Sequence, residues 1–202
     1  MSEVRRIGLT GGIATGKSYV RSQLDALGVP TIDADALARE AVAPGSEGLA
    51  AVVARFGPTV LDASGAVDRS ELAALVFADQ AARRDLEAII HPFVRVRTDA
   101  WFRGLDPTRH PFAVADIPLL FETNSQGLYD VVLVTACDPE EQVRRIIARD
   151  HVSEADARRR LAAQLPIEEK VRRADHVIRT DGAHDDTARQ VRAIVTRLRA
   201  AT

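Results

Sequence analysis

The sequence predicts an α/β fold in which a five-stranded parallel sheet is flanked by helices. Three observations favour this fold. Short β-rich runs alternate with helical patterns along the 202 residues. A glycine-rich turn joins the first apolar run to the first helical pattern. About eighty residues of mostly helical pattern separate the second strand from the third, far more than a crossover needs.

The strands are predicted from short runs rich in β-branched residues, and the helices from apolar residues at helical spacing between them. Turn residues separate these elements, and Ser46 is a candidate N-cap in the turn Pro44-Gly45-Ser46. The predicted strands are 4–9, 29–32, 112–115, 131–135 and 176–179. The predicted helical regions are 16–27, a long set within 36–102, 139–150, 154–165 and 186–200.

The two long helical stretches divide the chain into three parts of a single domain, 1–202. The core comprises about 1–35, 108–143 and 174–202, and a helical insertion covers about 36–107. A second helical stretch, about 144–173, is predicted to be a lid, because it carries eight arginines that could close over an anion. These arginines are Arg144, Arg145, Arg149, Arg158, Arg159, Arg160, Arg172 and Arg173.

Composition excludes several classes of function. A hydrophobic content of 46% is enough for a sizeable core, and a net charge of −2 argues against broad binding of nucleic acid or anionic membranes. The single Cys137 rules out an intrachain disulfide framework. No segment has the apolar core of a signal peptide or the length of a membrane span. We therefore expect a cytoplasmic protein, a monomer or a weak homo-oligomer, with no nucleic-acid or membrane partner.

Residues 11–18 form a complete phosphate-binding loop, G-x-x-x-x-G-K-[ST], between a predicted strand and a predicted helix. Glycines let backbone N–H groups face phosphate oxygens, and the helix N-terminus adds partial positive charge. Lys17, one of only two lysines, is expected to reach the β- and γ-phosphates, and the Ser18 hydroxyl to ligate Mg²⁺. The loop predicts a fold of the P-loop NTPase type with ATP and Mg²⁺ as cofactors. The predicted ATP-binding residues are Thr10, Gly11, Gly12, Ile13, Ala14, Thr15, Gly16, Lys17, Ser18 and Tyr19.

Acidic residues follow two of the predicted strands at the sheet edge where ligands bind. Asp33 and Asp35 come at the end of the second strand, and residues two apart in a strand share a face. We expect one of them to accept a proton from an acceptor hydroxyl and one to hold Mg²⁺ through water. The alternative is that one caps the following helix. Asp116, after the third strand, is a second candidate near Mg²⁺.

Arg145 and Arg149 lie four apart, on one face of a predicted helix, and are candidates to bind phosphates. The planar guanidinium suits this task because it binds phosphate through two parallel hydrogen bonds. Arg158 and Arg172 are interpreted instead as surface ion-pair partners of nearby glutamates.

Three further residues are candidate substrate contacts. Pro118 could set a bend at the edge of the site, and Glu122 is either a substrate contact or a helix-start residue. His91, before Pro92 in the insertion, could present an imidazole to an anionic ligand. The five histidines have no zinc-ligand spacing.

The motifs, taken together, resemble the dephospho-CoA kinase family from end to end. The residues that carry the resemblance are Leu9-Thr10-Gly11-Gly12-Ile13 with Gly16-Lys17-Ser18, Ile32-Asp33-Ala34-Asp35, His91-Pro92, Pro118-Leu119-Leu120 with Glu122, Arg145 with Arg149-Asp150, Ala163-Gln164, and Ala174-Asp175 with Val177-Ile178. The resemblance implies transfer of the γ-phosphoryl of ATP to the ribose 3′-hydroxyl of dephospho-CoA, the last step of coenzyme A synthesis. It also implies a CoA-binding insertion and a lid.

The resemblance assigns roles to matching residues. Thr10 and the loop would bind ATP phosphates, Asp35 would be the base and Arg145 would bind phosphates on lid closure. The sequence departs from the family's pattern at Ala14, where Gly is usual. Alanine is tolerated at this position if its φ is negative. The sequence departs also at Thr180, where Asn is usual, which puts nucleotide contacts from that turn in doubt.

Other functions that use the same loop predict different sequence features. Another small-molecule or nucleoside-monophosphate kinase would share the loop, insertion and lid, and only its acceptor would differ. A GTP-dependent switch would need an [NT]-K-x-D motif, and neither lysine lies in one. A nucleic-acid-dependent ATPase is disfavoured by the acidic balance and by an aromatic content of 4%.

Overall fold

Five parallel strands form the sheet of this computed structural model, which describes residues 3–201 apart from the side chains of residues 77 and 78. The strands lie in the order β2-β3-β1-β4-β5. The predicted five-stranded parallel sheet is therefore confirmed. The strands are β1 (Arg5–Gly11), β2 (Thr31–Asp33), β3 (Phe112–Asp116), β4 (Val131–Ala136) and β5 (His176–Arg179).

Nine α-helices lie within residues 3–201. They are α1 (Lys17–Ala26), α2 (Ala34–Ala41), α3 (Glu47–Phe56), α4 (Arg69–Ala78), α5 (Gln80–Gly104), α6 (Pro139–Asp150), α7 (Glu154–Ala162), α8 (Ile167–Arg172) and α9 (His184–Ala200). In the part of the chain that is described, no helix combines the length and the apolar character needed to cross a bilayer.

The chain forms two compact units. The first comprises Met1–Asp33 and Phe102–Thr202 and contains the whole sheet with α1 and α6 to α9. The second, Ala34–Trp101, contains α2, α3, α4 and most of α5. The helical excess between the second and third strands thus forms a unit of its own.

The core of the first unit consists of two apolar clusters. Strands β3 and β4 are buried along their whole length and β1 is buried from Ile7 onward, as expected of a parallel sheet with both faces covered. One cluster includes Ile7, Leu9, Val20, Leu24, Val114, Leu133, Val191 and Val195. The other includes Leu120, Phe121, Val132, Val134 and Ile167.

The second unit has a smaller core of its own, made by Val52, Val60 and Leu72. The N-terminus of α3 is capped as predicted, because the Ser46 hydroxyl accepts a hydrogen bond of 3.0 Å from the Leu49 N–H. Pro92 lies inside α5, where it removes one backbone donor from a 25-residue helix.

Several predicted boundaries differ from the structure, such as those of β2, which was predicted over 29–32 and is Thr31–Asp33. Two of the differences have reasons that lie outside the local sequence. Strand β1 continues to Gly11 because Thr10 and Gly11 pair with Val134 and Thr135 of β4. The helix predicted over 154–165 ends at Ala162, and α8 begins after Pro166. Between the two helices, Gln164 bonds to the loop after β1.

Candidate active site

The phosphate-binding motif forms the turn between β1 and α1 at the carboxyl edge of the sheet. Gly11 is the last residue of β1, where a Cβ would overlap the hydroxyl oxygens of Thr135 and Thr15. Gly16 caps α1 with a φ of 77°, a left-handed conformation that glycine adopts at little cost. Gly11 is therefore required by close packing and Gly16 by its backbone conformation. The first N–H groups of α1 can then face an anion.

Ala14 also has a left-handed backbone, with a φ of 59°. The negative φ that would have made this departure from glycine tolerable is not observed, and the left-handed region costs an L-residue on the order of 1–2 kcal/mol. Ala14 packs with Ile13 against the cluster of Val143, Ile146 and Ala157. Burial of apolar surface offsets part of this backbone strain.

Threonine hydroxyls hold the loop from inside the protein. The Thr15 hydroxyl bonds to the Gly12 carbonyl at 2.8 Å and to the Thr135 hydroxyl at 2.8 Å. The Thr10 side chain is fully buried, and its hydroxyl donates to the Pro118 carbonyl at 3.1 Å. Thr10 and Pro118 are thus engaged with each other, and their contacts with ATP and substrate stay predictions.

Lys17, in the first turn of α1, forms an ion pair with Asp116 at the end of β3. Asp116 is a register partner of Asp33, so the two carboxylates predicted to lie near Mg²⁺ end neighbouring strands. Burial raises the pKa of the Asp116 carboxyl, while the charges of Lys17 and Arg21 act in the opposite direction. The structure therefore brings together the predicted cation and two of the three predicted carboxylates.

Arg21, which sequence reasoning missed, links the same two carboxylates. Its guanidinium donates to Asp33 at 2.6 Å and lies 3.5 Å from Asp116. The hydrogen bond to Asp33 raises the pKa of the Arg21 guanidinium. A signal was present in the sequence, because Arg21 follows Lys17 by four residues and lies on the same helical face.

Asp35 does not share a strand with Asp33. Strand β2 ends at Asp33 and α2 begins at Ala34, so the expectation that both side chains point from one strand face is wrong. Asp35 lies in the first turn of α2, where a negative charge is favourable. Asp35 and His91 belong to the second unit, and their predicted roles stay predictions.

Arg145, on α6, contacts the phosphate-binding loop directly. Its guanidinium donates to the Thr180 carbonyl at 2.6 Å and the Ala14 carbonyl at 3.4 Å, and pairs with Glu141 at 2.7 Å. The buried Thr180 hydroxyl donates to the Thr15 carbonyl at 2.9 Å. Thr180, at the departure from the family's usual Asn, therefore joins the loop to the guanidinium of Arg145.

The other residues predicted near ATP have different environments. Arg149 forms an ion pair of 2.7 Å with its neighbour Asp150. Ser18 is exposed in the first turn of α1. The Tyr19 ring stacks on His184 with 4.4 Å between ring centroids, and its hydroxyl donates to the His184 carbonyl at 3.1 Å.

Arg158 and Arg172 are surface ion-pair residues, as predicted. Arg158 pairs with Glu140 and Glu154 at 2.8 Å, and Arg172 pairs with Glu169. Such exposed pairs contribute about 1 kcal/mol or less to stability.

Three residues that the site prediction did not include also bond to the loop. Gln164 accepts a hydrogen bond of 2.8 Å from the Ile13 N–H, and Gln142 donates one of 2.7 Å to the Ile13 carbonyl. Lys170, on α8, donates to the Gly11 carbonyl at 3.1 Å. Gln142 and Lys170 lie in no recognisable motif, and only Gln164 belongs to a segment that carries the family resemblance.

Comparisons with known proteins agree on one family. The family model described as dephospho-CoA kinase matches residues 5–186. A dephospho-CoA kinase of Geobacillus kaustophilus (strain HTA426) is 44% identical over 189 residues, 94% of each chain. The crystal structure of TT1252 from Thermus thermophilus has a TM-score of 0.83 at 36% identity, covering 97% of this chain and 98% of its own. A dephospho-CoA kinase from Campylobacter jejuni has a TM-score of 0.65 at 27% identity, covering 96% and 97%.

Proposed function

Because the chain belongs to the dephospho-CoA kinase family, we propose that the loop between β1 and α1 is where the γ-phosphoryl of ATP leaves for the ribose 3′-hydroxyl of dephospho-CoA. Members of the family are ATP-dependent kinases that phosphorylate a hydroxyl of dephospho-CoA, and this is the activity of the chain. The residue roles below belong to the proposal.

The observation that best supports this site is the set of contacts around the loop. Lys17 belongs to the loop and begins α1, and Arg145 reaches the loop from α6. Arg145 contacts the Ala14 carbonyl, while the N-terminus of α1 adds its partial positive charge. Together they form a positively charged cradle for the β- and γ-phosphates of ATP. In the mechanism, Lys17 exchanges its partner Asp116 for phosphate oxygen, and Arg145 stabilises charge during transfer.

The oxygen ligands at this edge fit Mg²⁺. Within residues 3–201, no cluster of three or more His, Cys, Asp or Glu side chains could hold a metal by itself. Mg²⁺ in kinases binds through one or two carboxylates and through substrate phosphates, so such a cluster is not required. We propose that Ser18, Asp33 and Asp116 hold the ion together with ATP. When bound, it neutralises charge on the β- and γ-phosphate oxygens.

On the acceptor side, we propose Asp35 as the general base for the 3′-hydroxyl. His91, Pro118, Glu122 and Asp33 are the proposed contacts to dephospho-CoA, and the helical insertion over about 36–107 is the proposed CoA-binding region. The stretch over about 144–173 is the proposed lid. Its C-terminal part is bonded to the loop through Gln164 and Lys170.

The acceptor distinguishes the proposed reaction from that of a related kinase. A coupled assay with ATP should give much faster turnover with dephospho-CoA than with AMP, CMP or shikimate. Phosphate should appear on the ribose 3′-oxygen, which NMR of the product would locate. Preference for AMP, CMP or shikimate would assign the site to another small-molecule kinase.

Arg145→Ala is expected to lower kcat about 10³-fold, because an arginine that stabilises transferring phosphate is worth on the order of 10³ or more. Arg158→Ala is the matched control, since it removes an exposed arginine with two carboxylate partners. The control should cost less than about 1 kcal/mol of stability and leave kcat unchanged. Steady-state kinetics and thermal unfolding of both variants test this. Equal values of kcat for the two variants would show that Arg145 does not stabilise the transferring phosphate.

We propose that the protein works in the cytoplasm as a monomer or weak homo-oligomer. The buried, single Cys137 is consistent with a reducing compartment. Analytical ultracentrifugation at several concentrations would measure the oligomeric state.

A further inference from the structure

Lys170 is the largest side chain among the fully buried ones of residues 3–201. Its relative exposure is 0%, although it lies on the short helix α8 in a segment rich in charged residues. Lysine is almost never fully buried unless its charge is paired. An ammonium in this position therefore needs a partner whose interaction offsets the free-energy cost of removing the charge from water.

The Lys170 ammonium joins two segments that are distant in the chain. It pairs with Glu122 Oε1 at 2.8 Å and donates to the Gly11 carbonyl at 3.1 Å. Glu122 Oε1 also accepts a hydrogen bond of 3.0 Å from the Leu165 N–H. The ion pair thus connects α8, the residues after β3 and the first residue of the phosphate-binding loop.

The contact to Gly11 lies where the loop leaves the sheet. Gly11, the first residue of the loop, is paired with Thr135 of β4 in the register of the sheet, and the chain leaves the sheet after it. A donor on this carbonyl restricts the rotation of the peptide plane that precedes Gly12. The Ile13 N–H and carbonyl are held in the same way by Gln164 and Gln142. The loop is therefore held at two of its first three residues by side chains from α6, α8 and the turn between α7 and α8.

We infer that Lys170 is a positioning residue for phosphoryl transfer, with Glu122 as the counter-ion that keeps its charge inside the protein. Lys170 holds the Gly11 peptide so that the amides of the loop already face the phosphates before ATP binds. This inference rests on the proposed role of the loop in binding ATP. It deepens that role because the conformation of the loop then depends on a lysine 159 residues away in the chain.

Three variants separate positioning from stability. Lys170→Met removes the donor to Gly11 and leaves the Glu122 carboxylate buried without its cation. Both the Tm and the affinity of the loop for ATP should therefore fall. Glu122→Gln keeps an acceptor for the Leu165 N–H and keeps the Lys170 donor to Gly11. In Lys170→Met/Glu122→Gln neither buried charge remains, so stability should recover, but Gly11 still lacks its donor.

The measurements are Tm, the Kd for ATP by calorimetry without acceptor, and kcat and KM for both substrates. We expect Tm of the double variant to rise by several degrees above that of Lys170→Met, on the order of 5–10 °C. Its kcat/KM for ATP should stay about 100-fold below wild type, which is the scale of a misplaced catalytic group. In Lys170→Met, which leaves every proposed contact to dephospho-CoA in place, the KM for dephospho-CoA should change less than the Kd for ATP.

Recovery of the Kd and kcat/KM for ATP in parallel with Tm would overturn the inference and make the pair purely structural. If Lys170→Met does not fold, the double variant alone tests the inference. A normal Kd and a normal kcat/KM for ATP in the double variant would overturn it. Failure of the proposed function is a separate result, because it would appear as absent turnover of dephospho-CoA by the wild-type protein. The calorimetric Kd for ATP would still report on the loop in that case.

Discussion

Lys17→Ala is expected to abolish phosphoryl transfer while the protein stays folded. Lys17 forms an ion pair with Asp116 in the structure, and in the proposed mechanism it binds the β- and γ-phosphates instead. Loss of such a preorganised charge costs about 3–4 kcal/mol or more of transition-state stabilisation, or at least about 10²–10³ in kcat. Single-turnover kinetics with saturating ATP would measure the effect.

The Asp116 carboxylate loses its lysine partner in this variant but keeps Arg21 within 3.5 Å. Burial already raises the pKa of Asp116, and removal of a nearby cation raises it further, so the folded variant can protonate this group more readily. Circular dichroism and thermal unfolding provide the control for folding. A folded Lys17→Ala enzyme with near-normal turnover would show that the loop is not the site of transfer.

Asp35→Asn is expected to lower kcat by about 10²–10⁴ with little change in the KM for ATP. Loss of a general base affects the chemical step, whereas the phosphates of ATP are bound elsewhere. Asp35 lies in the first turn of α2 and not in β2, so it has no part in the strand register that places Asp33 beside Asp116. Kinetics at varied ATP and dephospho-CoA concentrations would measure the change.

Asp33→Asn is the matched comparison. Asp33 pairs with Arg21 at 2.6 Å and is a proposed partner of Mg²⁺, so its replacement should act mainly through the Mg²⁺ concentration needed for half-maximal activity. A Mg²⁺ titration of both variants distinguishes the two roles. Equal and small effects would mean that neither carboxylate takes the proton and that positioning alone drives the transfer.

The secondary structure near the site followed from local sequence. The helix predicted over 139–150 has the observed bounds of α6, and the strand predicted over 176–179 those of β5. In both, turn residues and apolar spacing agree with the surrounding fold. Asp33 and Asp35 show where local reasoning failed. Their alternation favoured a strand, but β2 has only three residues and the chain enters α2 at Ala34.

Long-range contacts explain the residues that sequence reasoning missed. Arg21 could have been noticed from its spacing to Lys17, but its two partners are carboxylates on other strands. Lys170 had no local signal, because a lysine on a charged helix is usually solvated. Its burial depends on Glu122 and Gly11, which only folding brings to it.

By itself, the sequence determined the parallel sheet, the phosphate-binding loop and the family resemblance. Each of these depends on residues that are close in the chain, where glycine geometry, apolar periodicity and motif spacing act locally. The tertiary structure alone decided which charges from distant parts of the chain meet. It paired Lys17 with Asp116 across 99 residues, placed Arg145 against the Ala14 carbonyl and buried Lys170 beneath Gly11. The physical reason is that an ion pair's partner, burial and strength depend on how distant segments pack, which no local pattern encodes.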